Sequence, residues 1–446
     1  MPWQSPRKRL FSCGALDFAG LYIAVGISNL HREPNLLHSP LLISEVGLLY
    51  CTWAWLLGSY TVLRWPWLKL RMVLQRLGLT ALASWASLVL LSWVLGLSSE
   101  QVSLLNRSVL LEVLAWQTLL ALLIRLQIRQ LTRSSPQAQW QLLALPHHQQ
   151  HVIREWQRNP FVRTPKLIST DWLEDSPDAP SETSRRPVAL AVAHGIQLDV
   201  DQRGLIRQLQ QRGVTVTTLE DLAQRQLERL PPTLLPPNWL TLTDLPWSNE
   251  FSLQRKLKRM ADISVALLLL AATAPVLLLT SCLIWLEDRG PVLYVQQRTG
   301  WMGQTFPLWK LRTMRVQQPG TPTPWTISKD SRITRIGSIL RRTRMDELPQ
   351  LINVIRGEMS LIGPRPEQPH FDDKLSQTIP HYRKRYWMLP GLSGWAQVCG
   401  PAYPASLEES ELKLSYDLFY LRNWNVGLDL LILAKTIKTL LKVRGV

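Results

Sequence analysis

Four apolar segments occupy the first 125 residues, and their lengths constrain the fold more than any other feature. They cover residues 14–30, 41–63, 77–97 and 108–124. A helix that crosses a bilayer needs roughly 20 predominantly apolar residues, with a working range of about 17–25. Lysine and arginine gather before the first segment, between the second and third, and after the fourth. Cytoplasmic loops have this distribution, so the sequence predicts four transmembrane helices within residues 1–130, with both ends of the bundle in the cytoplasm.

The charge balance narrows the range of partners. The 446-residue chain has 50 Lys and Arg against 33 Asp and Glu, a formal net charge of +17. Such a balance indicates nucleic acid, anionic lipid or phosphorylated substrates. No segment resembles a nucleic-acid-binding module, and the basic residues lie beside apolar segments, so we expect membrane lipid and phosphate and no nucleic acid. The four cysteines lack metal-ligand spacing, which predicts neither a disulfide nor a zinc site.

Residues 131–250 differ in character, because they are rich in Gln, Pro and Asp and contain no long apolar run. Strands are predicted at 140–145, 188–193 and 214–218, and helices at 148–158 and 204–212. This alternation is typical of a small α/β domain with a parallel sheet. The turn after the first strand contains no glycine, so the fingerprint of a dinucleotide site is missing. His147, His148 and His151 are interpreted as a solvated turn, and the prolines at 231–237 as a linker.

The last predicted domain, 251–446, begins with an apolar run that Pro275 interrupts. Basic residues flank the run on both sides, including Arg255 before it and Arg298 after it. Basic flanks indicate that both ends are cytoplasmic. Proline kinks a helix because it lacks a backbone N–H, so we predict a re-entrant helix over 260–286 that bends at Pro275. A straight spanning helix is the alternative, since proline is tolerated in such helices.

An acidic pair, Asp346 and Glu347, follows a run of arginines that includes Arg341. A carboxylate at a helix start is stabilised in its ionised form, which is the form that attacks phosphorus. The arginines can bind phosphate oxygens in a bidentate manner. The structural alternative is helix capping, with Asp346 as the N-cap. Both interpretations predict a helix that begins directly after Asp346, with Glu347 in its first turn and Pro349 early in the helix.

Three further segments carry candidate phosphate ligands. Lys310 and Arg312 follow a predicted hairpin of strands 292–298 and 306–309, where they could bind a diphosphate or protect a strand edge. Arg365 lies in a rigid Gly-Pro-Arg-Pro turn, and residues 390–395 form a second tight turn. Neither turn is specific on physical grounds alone.

The order of these segments is specific. It comprises the apolar run with its proline, Lys-Leu-Arg-Thr-Met from 310, Asp-Glu-Leu-Pro-Gln-Leu-Ile-Asn-Val from 346, Gly-Glu-Met-Ser-Leu-Ile-Gly-Pro-Arg-Pro from 357 and Pro-Gly-Leu-Ser-Gly from 390. This order resembles the bacterial sugar transferase family, the polyprenyl-phosphate hexose-1-phosphate transferases or monotopic phosphoglycosyl transferases. The resemblance covers about residues 253–446, and the preceding helices and α/β domain resemble the long form of the family.

The resemblance implies an enzyme that moves a sugar-1-phosphate from a UDP-sugar to undecaprenyl phosphate and releases UMP. It implies that Asp346 is the nucleophile of a covalent aspartyl-phosphosugar intermediate, and that Glu347 holds the cofactor Mg²⁺. The other matching positions are Arg341, Lys310, Arg312 and Arg365 for phosphate binding, Asp417 for an acidic position of the substrate site, and Pro275 for the break in the re-entrant helix.

The predicted architecture therefore has three parts. They are a bundle of four transmembrane helices (1–130), a small degenerate Rossmann-like α/β domain with a linker (131–250), and an α-rich α+β catalytic domain with the re-entrant helix (251–446). The resemblance implies a bacterial inner-membrane protein whose catalytic domain faces the cytoplasm and starts exopolysaccharide, capsule or O-antigen synthesis. The middle domain is a candidate regulatory element or homodimer surface.

Two alternatives stay open. In the first, the lipid phosphate attacks directly, and Asp346 and Glu347 only hold the metal. In the second, the chain is a non-catalytic membrane scaffold of a polysaccharide assembly complex. The family often continues after Pro-Gly-Leu-Ser-Gly through Gln-Val-Ser-Gly-Arg, whereas this chain has Gln397-Val398-Cys399-Gly400-Pro401. This departure leaves the transferred sugar open among glucose, galactose and an N-acetylated sugar.

Overall fold

The computed structural model describes residues 5–30, 40–60, 70–94, 106–134, 139–159, 162–168, 188–240, 252–315, 332–401 and 406–441. Contacts divide the chain into two compact units. The first consists mainly of residues 1–140, and the second of 141–175, 190–210 and 216–446. The predicted bundle therefore belongs to the first unit, and most of the predicted middle and catalytic domains to the second. The boundary between those two domains stays a prediction.

The first unit contains four apolar helices, in the regions where the sequence predicted them. They are α1 (Ser5–Asn29), α2 (Pro40–Leu56), α3 (Leu70–Val94) and α4 (Arg107–Ser134). In length and composition α1, α3 and α4 are sufficient to cross a membrane, whereas α2 has only 17 residues. Large apolar side chains such as Leu41 and Leu82 are exposed on these helices, as expected for a surface that faces lipid.

A buried ion pair joins α1 to α4. The Asp17 carboxylate accepts two hydrogen bonds from the Arg125 guanidinium, each 2.7 Å long. Gln117 Nε2 also donates to the backbone oxygen of Asp17 at 2.8 Å. A charge inside an apolar bundle is costly unless it is paired. The pair therefore favours one register of α1 against α4.

Most residues of a four-stranded sheet belong to the second unit, and the sequence predicted three of its strands. The strands are β1 (Gln139–Leu143), β2 (Lys166–Ile168), β3 (Val188–Val192) and β4 (Thr215–Thr218), in the order β2-β1-β3-β4, with α5 (Pro146–Gln157), α6 (Val200–Gln211) and α7 (Leu219–Leu227). β1 and β2 are parallel. The interpretation of His148 as part of a solvated turn is wrong: its side chain is buried against His194, with ring centroids 4.6 Å apart.

The proline-rich segment 228–240, which we call the strap, is packed, although its prolines predicted a linker. Leu230, Leu234 and Trp239 are buried, and Pro232–Leu234 forms a 3-10 turn. The Leu230 amide donates to the backbone oxygen of Ser415 at 2.8 Å. Prolines fix the backbone without needing hydrogen-bond partners for an N–H, which suits a buried irregular segment. The interpretation of this segment from its prolines alone was therefore wrong.

The long apolar run forms a single helix, α8 (Leu253–Asp288), with Pro275 inside it. Near its start, Lys258 Nζ donates to Asp429 Oδ2 at 2.7 Å. Near its end, Glu287 Oε1 accepts from the Arg335 amide at 3.0 Å. Both ends of α8 thus contact the same unit, while leucines between them, among them Leu268 and Leu278, are exposed. The helix continues through Pro275, and the re-entrant path stays a prediction.

Short elements complete the second unit. They are β5 (Leu293–Thr299), β6 (Thr305–Leu311), α9 (Arg335–Thr343), α10 (Gln350–Arg356), β7 (Ser360–Ile362), α11 (Pro369–Thr378), β8 (Gly391–Ser393), α12 (Trp395–Cys399), α13 (Leu407–Asn423) and α14 (Val426–Leu441). β5 and β6 form the predicted antiparallel hairpin, with Tyr294 opposite Lys310, and β7 pairs with β8 in parallel. Phe306 and Leu308 of β6 belong to a core cluster with Ala266 of α8.

Candidate active site

The acidic pair lies in a tight turn between two short helices. Helix α9 ends at Thr343, and Arg344 follows with a left-handed backbone (φ 61°). Asp346 and Glu347 then occupy the 3-10 turn Met345–Glu347, and α10 begins only at Gln350. Asp346 is therefore not the N-cap of the next helix, which corrects the capping interpretation. Neither carboxylate caps α10, so both can bind other charged groups.

A glycine allows α9 to approach the end of strand β6 closely. A Cβ atom at Gly337 would lie less than 3.0 Å from the backbone oxygen of Thr313. The amide of Thr334, the residue that caps α9, donates to the same oxygen at 3.1 Å. This contact brings the Lys-Leu-Arg-Thr-Met segment against the helix that leads into the acidic pair. Lys310 and Asp346, which are 36 positions apart in the sequence, are therefore close enough for the charge of Lys310 to lower the pKa of Asp346.

Glu347 is bound by arginine. Arg365 Nη2 donates to Glu347 Oε1 at 2.6 Å, Arg365 Nη1 lies 3.4 Å from Oε2, and Arg344 Nη1 lies 3.7 Å from Oε1. Burial by itself would raise the pKa of Glu347, but the charge of Arg365, followed by that of Lys310, lowers this pKa to about 2. Glu347 is therefore a fixed negative charge throughout the physiological pH range.

Asp346 has the opposite behaviour. Its Oδ1 atom is buried and has no hydrogen-bond partner among the described residues. Burial, followed by the neighbouring charge of Glu347, raises the pKa of Asp346 to about 6, although Lys310, Arg344 and Arg341 oppose the shift. Two adjacent carboxylates whose pKa values are pushed apart in this way are a common feature of catalytic sites. At neutral pH Asp346 is mostly ionised and still basic enough to act as a nucleophile.

Lys310, near the end of strand β6, interacts electrostatically with both carboxylates and with Arg365. Burial, together with the charge of Arg365, lowers its pKa to about 8, while Glu347 and Asp346 oppose that shift. A cation beside a carboxylate pair can neutralise an incoming phosphate. The site therefore combines a carboxylate of raised pKa, a permanently ionised carboxylate and several cations, which lie in the 3-10 turn, on helix α9, at the end of strand β6 and in the turn that carries Arg365.

The structure brings most of the predicted residues together, but not all of them. Arg341, in the last turn of α9, is among the cations that lower the pKa of Asp346. Arg312 is buried with its guanidinium against Gly290, and it is not among the strongest charges acting on the pair. Asp417 is fully buried, and its Oδ2 lies 2.8 Å from Arg385 Nη2. The role of these two residues as direct phosphate or substrate ligands stays a prediction that their positions do not support.

The two predicted tight turns pack against each other. The Gly363 amide donates to Ser393 O, and the Gly391 amide donates to Pro364 O, at 2.8 and 2.9 Å. A Cβ atom on Gly391 would lie less than 3.0 Å from the backbone of Gly363. This backbone contact holds the turn that carries Arg365, and it explains why both turns contain glycine.

Sequence reasoning missed several residues that support the site. Arg344 could have been found, because it lies two positions before Asp346 in the same basic run. Arg298 on β5 donates to Pro366 O at 3.3 Å, and Glu367 binds Lys413 of α13. Arg385 gives no local signal, since its role depends on contacts with residues 20 and 32 positions away, Arg365 and Asp417.

The carboxylate pair fits a bound Mg²⁺ only together with substrate. Mg²⁺ is usually bound by one or two carboxylates plus substrate phosphates. Asp346 Oδ1 lacks a hydrogen-bond partner, and Glu347 Oε2 has only a long contact with Arg365, so both could turn an oxygen toward an ion. Among the described residues, no group of three or more His, Cys, Asp and Glu could enclose a metal by itself.

The comparisons with known proteins concern this same region. The family model "Bacterial sugar transferase" matches residues 253–443. A UDP-glucose:undecaprenyl-phosphate glucose-1-phosphate transferase of Caulobacter vibrioides is 43% identical over 185 residues, which are 41% of this chain and 69% of that protein. A UDP-N-acetylgalactosamine-undecaprenyl-phosphate N-acetylgalactosaminephosphotransferase of Aeromonas hydrophila is 41% identical over 185 residues, 42% of this chain and 44% of that protein.

A third relative is the UDP-glucose:undecaprenyl-phosphate glucose-1-phosphate transferase of Escherichia coli, 38% identical over 197 residues. The match covers 44% of this chain and 42% of that protein, so less than half of the Aeromonas and Escherichia proteins is spanned. The Caulobacter protein is matched over more than two thirds of its length. Since this match reaches 43% identity over more than two thirds of that protein, and the family model covers the acidic pair and its cations, the chain belongs to the bacterial sugar transferase family.

Proposed function

We propose that the chain transfers a sugar-1-phosphate from a UDP-sugar to undecaprenyl phosphate at the cytoplasmic face of the bacterial inner membrane. The observation that carries the proposal is the state of Asp346. One of its oxygens, Oδ1, is buried and has no hydrogen-bond partner among the described residues, its pKa is raised to about 6, and the charges of Lys310, Arg344 and Arg341 act on it. The names of the relatives, which act on UDP-sugars and undecaprenyl phosphate, support the substrate classes.

The proposed chemistry has two displacement steps at one phosphorus atom. In the first, a carboxylate oxygen of Asp346 attacks the phosphorus attached to the sugar, and the bond from that phosphorus to the bridging oxygen breaks. UMP leaves with the bridging oxygen. In the second, a phosphate oxygen of the lipid attacks the same phosphorus and Asp346 is released. Covalent catalysis of this kind divides one difficult step into two easier ones.

The cations and the second carboxylate have distinct proposed roles. Lys310 and Arg341 would offset the charge of the diphosphate as it approaches Asp346. Glu347, which Arg365 keeps in position, would hold Mg²⁺ together with the substrate phosphates. When bound, Mg²⁺ would supply charge neutralisation and Lewis-acid activation of the phosphoryl group.

The function is tested by UMP release from purified full-length protein in lipid nanodiscs with Mg²⁺, undecaprenyl phosphate and a panel of UDP-sugars. We expect UMP with one or a few of the sugars, and a lipid-linked sugar diphosphate as the second product. UMP without the lipid product would indicate hydrolysis instead of transfer. No UMP from a folded protein with any sugar in the panel would contradict the proposal and favour the scaffold alternative.

The pH dependence of the first step should be bell-shaped. Asp346 must be ionised, so the rate should fall below pH about 6, and Lys310 must be protonated, so the rate should fall above pH about 8. The measurement is single-turnover UMP release without the lipid acceptor, because a phosphate monoester titrates near pH 6 by itself. In Lys310→Arg the alkaline limb should move upward while the acid limb stays. An unchanged alkaline limb would exclude Lys310 as its origin.

We also propose that α8 enters the membrane and returns to the same side. Support comes from its two ends, which both contact the second unit, through Lys258 and through Glu287. Single cysteines at the exposed positions Lys256 and Arg289, in a background without the four native cysteines, test the path. A membrane-impermeant maleimide should label Lys256→Cys and Arg289→Cys from the cytoplasmic side only. Labelling of the two positions from opposite sides would indicate a straight spanning helix.

A further inference from the structure

A buried chain of contacts connects Asp417 to the acidic pair. Asp417 Oδ2 lies 2.8 Å from Arg385 Nη2, and the same Nη2 donates to the backbone oxygen of Arg365 at 2.9 Å. Arg365 Nη2 then donates to Glu347 at 2.6 Å. Three contacts therefore join a carboxylate on α13 to the carboxylate beside Asp346.

The Arg385 guanidinium has one defined orientation. Its other terminal nitrogen, Nη1, donates to Tyr382 Oη at 2.9 Å, and the side chains of Arg385 and Asp417 are only 2% and 1% exposed. Burying two charges costs more than a pair of them usually returns in stability. The burial of this pair is therefore weak support for a purely stabilising role. The hydrogen bond from Arg385 to the backbone oxygen of Arg365 indicates a more specific role, in positioning Arg365.

The turn that carries Arg365 is held from other directions as well. Arg298 Nη1 donates to Pro366 O, and the Thr299 amide donates to Glu367 O at 2.8 Å. Lys413 binds the Glu367 carboxylate, and Lys413 lies one helical turn before Asp417 on α13. Contacts from β5, from the segment Tyr382–Trp387 and from α13 thus fix consecutive residues of the turn.

We infer that Arg385 and Asp417 are a positioning pair that sets the place of Arg365, and through it the place of Glu347, in the reaction proposed above. The inference rests on that proposed function. It gives Asp417 a role different from substrate binding: Asp417 orients Arg385, Arg385 holds the backbone of Arg365, and the Arg365 side chain orients Glu347 toward the phosphate site.

A double-mutant cycle between Asp417 and Arg365 tests the inference. Asp417→Asn is made in the wild-type chain and in Arg365→Lys, and kcat and KM for UMP release are measured together with UMP affinity by calorimetry. If Asp417 acts through Arg365, Asp417→Asn should lower kcat/KM about tenfold in the wild-type background and less than about twofold in Arg365→Lys, because coupled residues are not additive. If turnover in Arg365→Lys is too slow to measure, the double-mutant cycle is calculated from the UMP affinities of the four proteins instead.

Glu155→Gln is the matched control, because Glu155 is also a buried carboxylate paired with a buried arginine, Arg229, but on α5. Glu155→Gln should change kcat/KM by the same factor in the wild-type chain and in Arg365→Lys. Arg385→Lys keeps the charge but loses the planar guanidinium that contacts Asp417, Arg365 O and Tyr382 together. This variant should repeat the pattern of Asp417→Asn, and it takes the place of Asp417→Asn in the cycle if Asp417→Asn does not fold. If the wild-type protein releases UMP but Asp417→Asn lowers kcat/KM by the same factor in both backgrounds, the inference is overturned and the proposed function stands. Absence of wild-type UMP release would instead reject the proposed function.

Discussion

Asp346→Asn should abolish UMP release while the protein stays folded. Asparagine has nearly the same shape, but its amide does not form the acyl-phosphate intermediate, so kcat should fall by on the order of 10³-fold or more, as for loss of other enzyme nucleophiles. The wild-type protein, incubated with UDP-sugar and without lipid, should carry a phosphosugar on Asp346 that intact-protein mass spectrometry detects. The Asn variant should carry none. UMP release that survives the substitution would support direct attack by the lipid phosphate.

The stability of the same variant separates a chemical effect from a folding effect. Burial and Glu347 raise the pKa of Asp346 above its value in an unfolded chain, so its ionisation opposes folding at neutral pH. Asp346→Asn removes that charge and should leave the melting temperature equal or higher. Asp373→Asn is the matched control, because Asp373 on α11 forms an exposed ion pair with Arg383. It should leave both activity and melting temperature nearly unchanged. A lower melting temperature in Asp346→Asn would mean that lost folding contributes to lost activity.

Gly391→Ala should strongly destabilise the second unit. The new Cβ would lie less than 3.0 Å from the backbone of Gly363, and neither backbone can give way as a flexible side chain would. Overpacking typically costs about 1–3 kcal/mol and occasionally more, and the upper end is expected here. Separation of the two turns should also displace Arg365. Thermal unfolding monitored by tryptophan fluorescence should give a lower melting temperature, and UMP release should fall with it.

Gly204→Ala is the control for that prediction. Gly204 lies inside α6, and a Cβ atom there meets nothing within 4 Å. Alanine is the better helix former by about 1 kcal/mol, so this variant should raise stability slightly. Equal and small effects at both positions would mean that the contact between the two turns is looser than described.

The sequence predicted the elements whose pattern is local. Apolar length predicted the helices of the first unit, the sequence also predicted the β5–β6 hairpin, and charge singled out Asp346 and Glu347. The parts that failed depend on contacts between distant residues. The prolines of the strap predicted a linker, because proline content alone gives no information about distant contacts such as the hydrogen bond from the Leu230 amide to the backbone oxygen of Ser415. Arg385 has no local signal, since its partners lie in a turn and on α13.

The strap has a consequence for any attempt to shorten this chain. It brings the backbone oxygen of Glu228 to the buried indole of Trp395, and it covers the side of α13 near Ser415. A chain that began at α8 would turn this interior into an apolar outer surface, which favours association with other molecules. A minimal enzyme made from the catalytic region would therefore need polar side chains designed onto that face. The strap is therefore part of the packed interior of the catalytic region, although it precedes that region in the sequence.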